Sequence, residues 1–256
     1  MEKDTKLIKN TIKKAIKLNN RIIGNNNYEN IFVMTSLNAD EISDLKGNKM
    51  KDYLDSNLFN HVFSSAEKLI KEKPKGFNLK EKGTFNLIYI PNSKICPESF
   101  TSKGFTLDSI LDIFEETFHA LDDIPYIKCV DDQMAKEALA VFGRYIGIRY
   151  LKNKNYSINN VLESSIGVKL IIKDDQYWFG EDISKNHNYI GRLWLVDAIK
   201  HLEKLKFIQA IDEMKVTYEK VKSSGDYFKT IQEYGEFYGS RPHDESYINC
   251  ILKILC

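Results

Sequence analysis

Apolar residues recur at helical spacing from the start of the chain. Leu7, Ile8, Ile12, Ala15, Ile16 and Ile23 share one face of a helix over residues 5–22, and lysines take the other. Gly24, in "GNNNYEN", breaks it. "IFVMTS" (31–36) is β-branched and aromatic and predicts a strand. Residues 57–72 return to helical spacing and stop before Pro74 and Gly76. "TFNLIYIP" (84–91) is the clearest strand signal. Pro91 has no N–H for a ladder, so it either ends that strand or places it on a sheet edge.

A loop, "NSKICPESFTSKG", leads to Thr106, which predicts a helix cap, with Asp108 in the first turn facing the positive end of the dipole. That helix runs to about Asp123 and is closed by Pro125. Another begins after Asp131 or Asp132 and continues to about Tyr150. Beyond residue 150 the pattern is mainly helical. The exception is "VKLIIKDDQYWFG" (168–180), which predicts a β-hairpin turning at Asp174–Asp175. Residues 189–222 carry one long helical periodicity, and a last helix follows "GSRPHDE". No repeat or linker interrupts the chain. The reading is one α+β domain over 1–256, with a sheet and two chemistry-bearing helices in 28–150 and a mainly helical part in 151–256.

The helix over residues 106–123 carries the chemistry. Leu107, Leu111, Phe114, Phe118 and Leu121 make one stripe, and Asp108, Asp112, Glu115, His119 and Asp122 make the opposite one. Residues four apart stack on a helix, so Glu115 and His119 can share one metal ion. Glu116 lies about 100° round the axis, close enough to reach a water on that ion. This is the mechanical basis of the HExxH motif; the chain has EExxH. A solvated acidic face with a Glu–His pair has the same spacing, so that reading stays open. On the next helix, Glu137 falls at the margin of an apolar face made by Met134, Ala138, Val141, Tyr145 and Ile148. A carboxylate there needs a metal, an arginine or a hydrogen-bond network. Arg144 and Arg149 are the local candidates for that arginine.

Strand, metal helix, turn and glutamate-bearing helix, from Thr84 to Ile148, follow an order that resembles the gluzincin class of metallopeptidases. "EETFHALDD" also resembles the E-E-x-x-H-A variant of bacterial zincin-like proteins, some of them attached to polymorphic toxins. The resemblance implies a zincin-like α+β fold: a small N-terminal sheet with an edge strand above the active-site helix, then a mainly helical C-terminal half. It puts Glu115, His119 and Glu137 at the three ligand positions and Glu116 at the general base. It implies one divalent metal, zinc first, with manganese or iron as alternatives. Glu115 departs from the family's first histidine. One imidazole with two carboxylates is a harder donor set, and its extra negative charge makes the ion a weaker Lewis acid.

The implied chemistry is hydrolysis of a protein or peptide substrate, with Glu116 taking a proton from metal-activated water and returning it to the leaving amine. The family draws an oxyanion-stabilising tyrosine or histidine from its C-terminal half. Here that position falls to His243 in "SRPHDES", with Tyr238 and Tyr247 near it in sequence. The same segment also reads as a helix start capped by Asp244. Two other functions fit the sequence: an inactive zincin-like binding protein, or a helical interaction protein without metal.

Composition narrows the partners. A hydrophobic fraction of 43% builds a core, while 29% charged residues at a net charge of +1 argue against a disordered chain and against a general nucleic-acid binder. The exception is the basic stretch from Lys3 to Arg21. Cys96, Cys129, Cys250 and Cys256 form no CxxC pair, which excludes a zinc ribbon and points to synthesis in a reducing, cytoplasmic compartment. No apolar run approaches the roughly 18 residues of a membrane span. The N-terminus lacks a signal-peptide core, so export would need a route without a cleaved signal. No GxGxxG or P-loop supports nucleotide binding. His201 and Asp197, four apart, predict a surface helix pair.

Overall fold

The computed structural model describes residues 2–24, 30–72, 76–81, 84–102, 104–126, 129–151, 156–180 and 189–242. The fold is α+β. Its chain divides into two compact units, Met1–Asn20 with Asn25–Asp122, and Arg21–Gly24 with Asp123–Cys256. The division falls directly after the EExxH helix, upstream of the change of character that the sequence suggests near residue 150.

The first unit contains α1 (Glu2–Ile23), β1 (Ile31–Met34), β2 (Ser43–Asp44), α2 (Met50–Tyr53), α3 (Ser56–Glu72), β3 (Phe77–Glu81), β4 (Phe85–Tyr89), the short pair β5 (Phe100–Thr101) and β6 (Gly104–Phe105), and α4 (Leu107–Leu121). The sheet order is β2-β1-β4-β3. β1 and β4 run parallel, with Val33 opposite Ile88, and both outer strands are antiparallel to their neighbours. The central parallel pair is apolar on both faces, as such strands must be when layers cover both sides. Phe32, Met34, Val62, Ala66, Leu87 and Tyr89 form the core under α3, and Phe77 stacks on Tyr89 at 4.9 Å.

Two strand expectations change. "TFNLIYIP" is an inner strand, β4, and not an edge. The edge is β3, "FNLKE", whose polar half gives no strand signal of its own. It becomes a strand by pairing with β4, with Phe77 opposite Tyr89 and Glu81 opposite Phe85. Its exposed Glu81 suits an edge, where charges discourage further pairing.

In the second unit lie α5 (Val130–Leu151), α6 (Ile158–Ile166), β7 (Leu170–Lys173), β8 (Gln176–Phe179), α7 (Ile190–Leu193), α8 (Val196–Lys204), α9 (Phe207–Ser224) and α10 (Tyr227–Phe237). α5 is buried on all sides from Ala138 to Ile148, the mark of a central helix, and α6, α7, α9 and α10 pack around it. α7 comes close because Gly191 has no side chain: a Cβ there would lie 2.4 Å from the Met134 carbonyl oxygen. The β7–β8 hairpin turns at Asp174–Asp175 as predicted. Both residues have positive φ, 52° and 60°, which a two-residue type I′ turn requires. The single long periodicity over 189–222 is three helices, interrupted at Trp194–Leu195 and Leu205–Lys206. The helix expected after "GSRPHDE" lies outside the described residues. Among the described residues, no helix is long and apolar enough to cross a membrane.

The turn after β2 is organised by one carboxylate. Asp44 Oδ1 accepts the backbone N–H groups of Lys46, Gly47 and Asn48 at 2.8, 2.7 and 2.9 Å, and Oδ2 accepts Asn48 Nδ2 at 2.7 Å. Burial works against the charge, but the side chain and amide of Asn48 and the amides of Lys46 and Gly47 outweigh it. The carboxyl is therefore held below the usual value. A depressed folded-state pKa gives stability that is complete above the unfolded value, near 3.9, and is lost as pH falls through the folded one. Asp44→Ala leaves three amides without their acceptor and should cost about 1–3 kcal/mol at neutral pH. Urea unfolding midpoints check this, and the gap from wild type should narrow as the pH drops from about 5 to about 2.

Candidate metal centre

α4 begins at Thr106, whose hydroxyl accepts the Ser109 N–H at 3.4 Å, so the predicted cap is present. The helix packs on the edge strand β3 and its neighbour β4. Asn19 of α1 is fully buried and donates to the Phe114 carbonyl at 2.9 Å. At the other end, Lys80 of β3 donates to the carbonyls of Ala120 (3.3 Å) and Asp122. A cation on the last carbonyls suits the negative end of a helix dipole. These contacts fix α4 in position and in rotation about its axis.

The polar stripe of α4 is not a solvated face. Asp108, at its start, is exposed, but Glu115, His119 and Asp122 keep only 8%, 6% and 5% of their surface. From Ile113 to Leu121 every residue is buried except Glu116, which is half-buried. Gly76, at the start of β3, sits beside it: a Cβ there would come within 3.6 Å of Glu116 Cγ. In this stretch the residue assigned as general base is thus the one partly open to solvent.

Glu137 sits on α5, half-buried, and it meets an arginine from a different helix. Arg192 of α7 places Nη2 at 2.6 Å from Glu137 Oε2. Arg192 also donates through Nη1 to the Ile166 carbonyl at 2.8 Å, and its guanidinium lies 4.1 Å from the centroid of the Tyr189 ring. Arg144 instead donates Nε to the Ser164 carbonyl. Arg149 reaches Tyr145, Glu203 and the carbonyls of Leu202 and Leu205.

One ligand atom from each of Glu115, His119 and Glu137 lies within 4.8 Å of the others, so this group could hold a metal ion. A carboxylate has two oxygens and about four lone-pair sites, so the Arg192 contact and a metal contact on Glu137 are compatible. The donor set is one imidazole and two carboxylates.

His243 and Tyr247 lie outside the described residues. Tyr238 is engaged elsewhere: its hydroxyl donates to Glu213 Oε1 at 2.6 Å. Glu213 also accepts from the Tyr234 hydroxyl at 3.1 Å and meets His201 Nε2 at 2.9 Å, while His201 stacks on Tyr238 at 4.5 Å. Burial first, then the Glu213 charge, pushes the Tyr234 phenol well above its usual value. For Tyr238, burial leads again and the hydrogen bond to Glu213 follows. His201 therefore pairs with Glu213 and not with Asp197. Asp197 instead accepts the Tyr177 hydroxyl at 2.7 Å and pairs with Lys200 at 2.7 Å. Sequence reasoning missed the Glu213 cluster because its members come from three helices.

Comparison with protein-family models, with curated proteins and with solved structures finds no match.

Removing Arg192 tests how much Glu137 depends on it. Arg192→Met should lower stability by about 3 kcal/mol, because it removes the guanidinium from the Glu137 carboxylate and from the Ile166 carbonyl. Adding Glu137→Gln should recover part of the loss, since an amide costs less to bury than a carboxylate that has lost its guanidinium. Denaturant midpoints of the single and double variants report both.

Proposed function

We propose that the chain is a metal-dependent hydrolase of zincin-like type, acting on protein or peptide substrates. Glu115, His119 and Glu137 hold one divalent cation, and Glu116 is the general base. The observation that carries this reading is the convergence of those three ligand atoms within 4.8 Å, next to the partly open Glu116. The edge strand β3 beside α4 supports it, since an edge has free N–H and C=O groups that can align an extended peptide. A bound divalent cation supplies Lewis acidity, lowering the pKa of water and polarising a carbonyl. Glu116 accepts the proton of the attacking water and returns it to the leaving amine. His243 is retained as the electrophile for the developing oxyanion.

Zinc is the first candidate metal. The carboxylate-rich donor set also suits manganese or iron. Arg192 bears on this choice: a guanidinium on Glu137 offsets part of the negative charge that Glu115 adds where the family has histidine. A second reading, a zincin-like binding protein without catalysis, draws on the same contact, because Arg192 gives Glu137 a structural partner. The third reading, an acidic helix face exposed for protein contacts, is opposed by the burial of Glu115 and His119.

The experiment is elemental analysis of purified, dialysed protein together with a peptidase assay. Close to one equivalent of metal is expected, reduced to background by His119→Ala. Glu116→Gln should keep the metal and lower kcat by about 100-fold to 10,000-fold. Wild-type turnover retained in that variant would remove Glu116 from the chemistry, while metal retained by an inactive parent would favour the second reading. Chelator should lower the melting temperature by on the order of 10 °C, because a tightly bound ion stabilises the folded state.

A further inference from the structure

The basic N-terminal stretch is not explained by a metal centre. On α1, Lys6, Lys9, Asn10 and Lys13 fall on one face, and the loop after β2 faces them. Together they line a groove of about 760 Å³ whose walls include Thr5, Glu41, Ser43, Lys46, Gly47 and Lys49. Five lysines meet one glutamate there, in a chain whose net charge is only +1.

The acids near the groove are committed elsewhere. Glu41 accepts from Ser36 Oγ at 3.0 Å and Asn38 Nδ2 at 3.1 Å. Asp44 faces its own loop amides, and Asp40 pairs with Lys51 at 2.6 Å. Lys9 is anchored in the floor, donating to Ser43 Oγ at 2.8 Å and the Asp44 carbonyl at 2.7 Å. Lys6, Lys13 and Lys46 are exposed and carry no salt bridge among the described residues. Lys9 is pushed below the usual lysine value, by burial first, with the charges of Lys49 and Lys13 adding to it and Asp44 opposing. Like charges therefore converge on a concave surface whose nearest carboxylates, Glu41 and Asp44, also accept hydrogen bonds from their own loops.

We propose that this groove binds a small anion with adjacent phosphate groups, of the tripolyphosphate kind. Lysine ammonium groups are strongly hydrated point charges, suited to multiply charged phosphate oxygens, whereas planar carboxylate recognition favours arginine. Among the described residues the lining has no arginine and no aromatic ring. It therefore lacks the stacking surface by which proteins hold nucleic-acid bases, and the recognition stops at the phosphates. The volume lies within the range of small-molecule sites. Gly47 leaves the loop wall open, since a Cβ there would meet nothing within 4 Å.

The test is calorimetric titration of the full chain with sodium tripolyphosphate at low salt. It compares wild type, a Lys6→Gln/Lys13→Gln/Lys46→Gln variant, and a control with Lys68→Gln/Lys71→Gln on α3. Saturable binding to wild type is expected, weakened about tenfold or more in the groove variant and within about twofold in the control. Extraction of a bound metal by tripolyphosphate would give equal heat in both variants, so the difference between them isolates the groove. Thermal melts that coincide with wild type show that the groove variant is folded, as expected for exposed lysines. The proposal is overturned by no saturable binding to wild type, by equal losses in the two variants, or by a short DNA duplex that binds the groove more tightly than tripolyphosphate.

Discussion

A buried carboxylate and a buried imidazole one helical turn apart are the constraint around which α4 is built. Ionisable groups are costly to remove from water unless they are paired, hydrogen-bonded or ligated. A sequence with this helix pattern could have turned Glu115 and His119 outward, where they would cost nothing. The fold instead buries both and leaves Glu116 between them half-open. Three contacts hold that rotation: the Thr106 cap at the start, Asn19 on the Phe114 carbonyl at the middle, and Lys80 on the final carbonyls. Two of the three come from distant segments, so the orientation of α4 is a property of the unit and not of the helix alone.

Much of this framework could be read from the sequence, and what could not has identifiable physical causes. The ends of α4, the extent of α5 and the Asp174–Asp175 turn each follow from local rules: a hydroxyl cap, a long apolar period, and two residues that tolerate positive φ. β3 was invisible because "FNLKE" becomes a strand only through its partner, and that in turn misplaced the sheet edge. The breaks at Trp194–Leu195 and Leu205–Lys206 involve neither proline nor glycine, so periodicity ran straight through them. Spacing marked Glu115 and His119 as a possible pair and the apolar margin marked Glu137 as a carboxylate in need of a partner; grouping the three came from the resemblance. The arginine beside Glu137 was not legible. Arg192 lies far along the chain, and its approach depends on Gly191 letting α7 settle against Met134, a tertiary fact with no sequence period.

Arg192 also changes how the departure from HExxH is weighed. Considered alone, replacing an imidazole by the Glu115 carboxylate adds a negative charge and weakens a Lewis acid. A guanidinium hydrogen-bonded to another ligand of the same trio acts in the opposite direction, because it draws electron density from Glu137 and makes it a poorer donor. On the proposed reading, the arginine partly offsets what the glutamate costs. The Glu115 substitution and the Arg192 contact then belong to one electrostatic arrangement, and the departure need not mark decay.

The same principle, that acids take fixed partners, explains why a nearly neutral chain presents a strongly positive groove. Asp44 is turned onto backbone amides, Glu41 onto Ser36 and Asn38, Asp123 onto Tyr218 and Lys222, and Glu213 onto two tyrosines and a histidine. Each such carboxylate counts fully toward net charge but is oriented away from most of the surface. The α1 lysines at positions 6 and 13 have no comparable partners among the described residues. Net charge therefore understates the local field wherever the acids are structural and the bases are not. A composition near neutrality places no limit on a concave site built from one helix face and one loop.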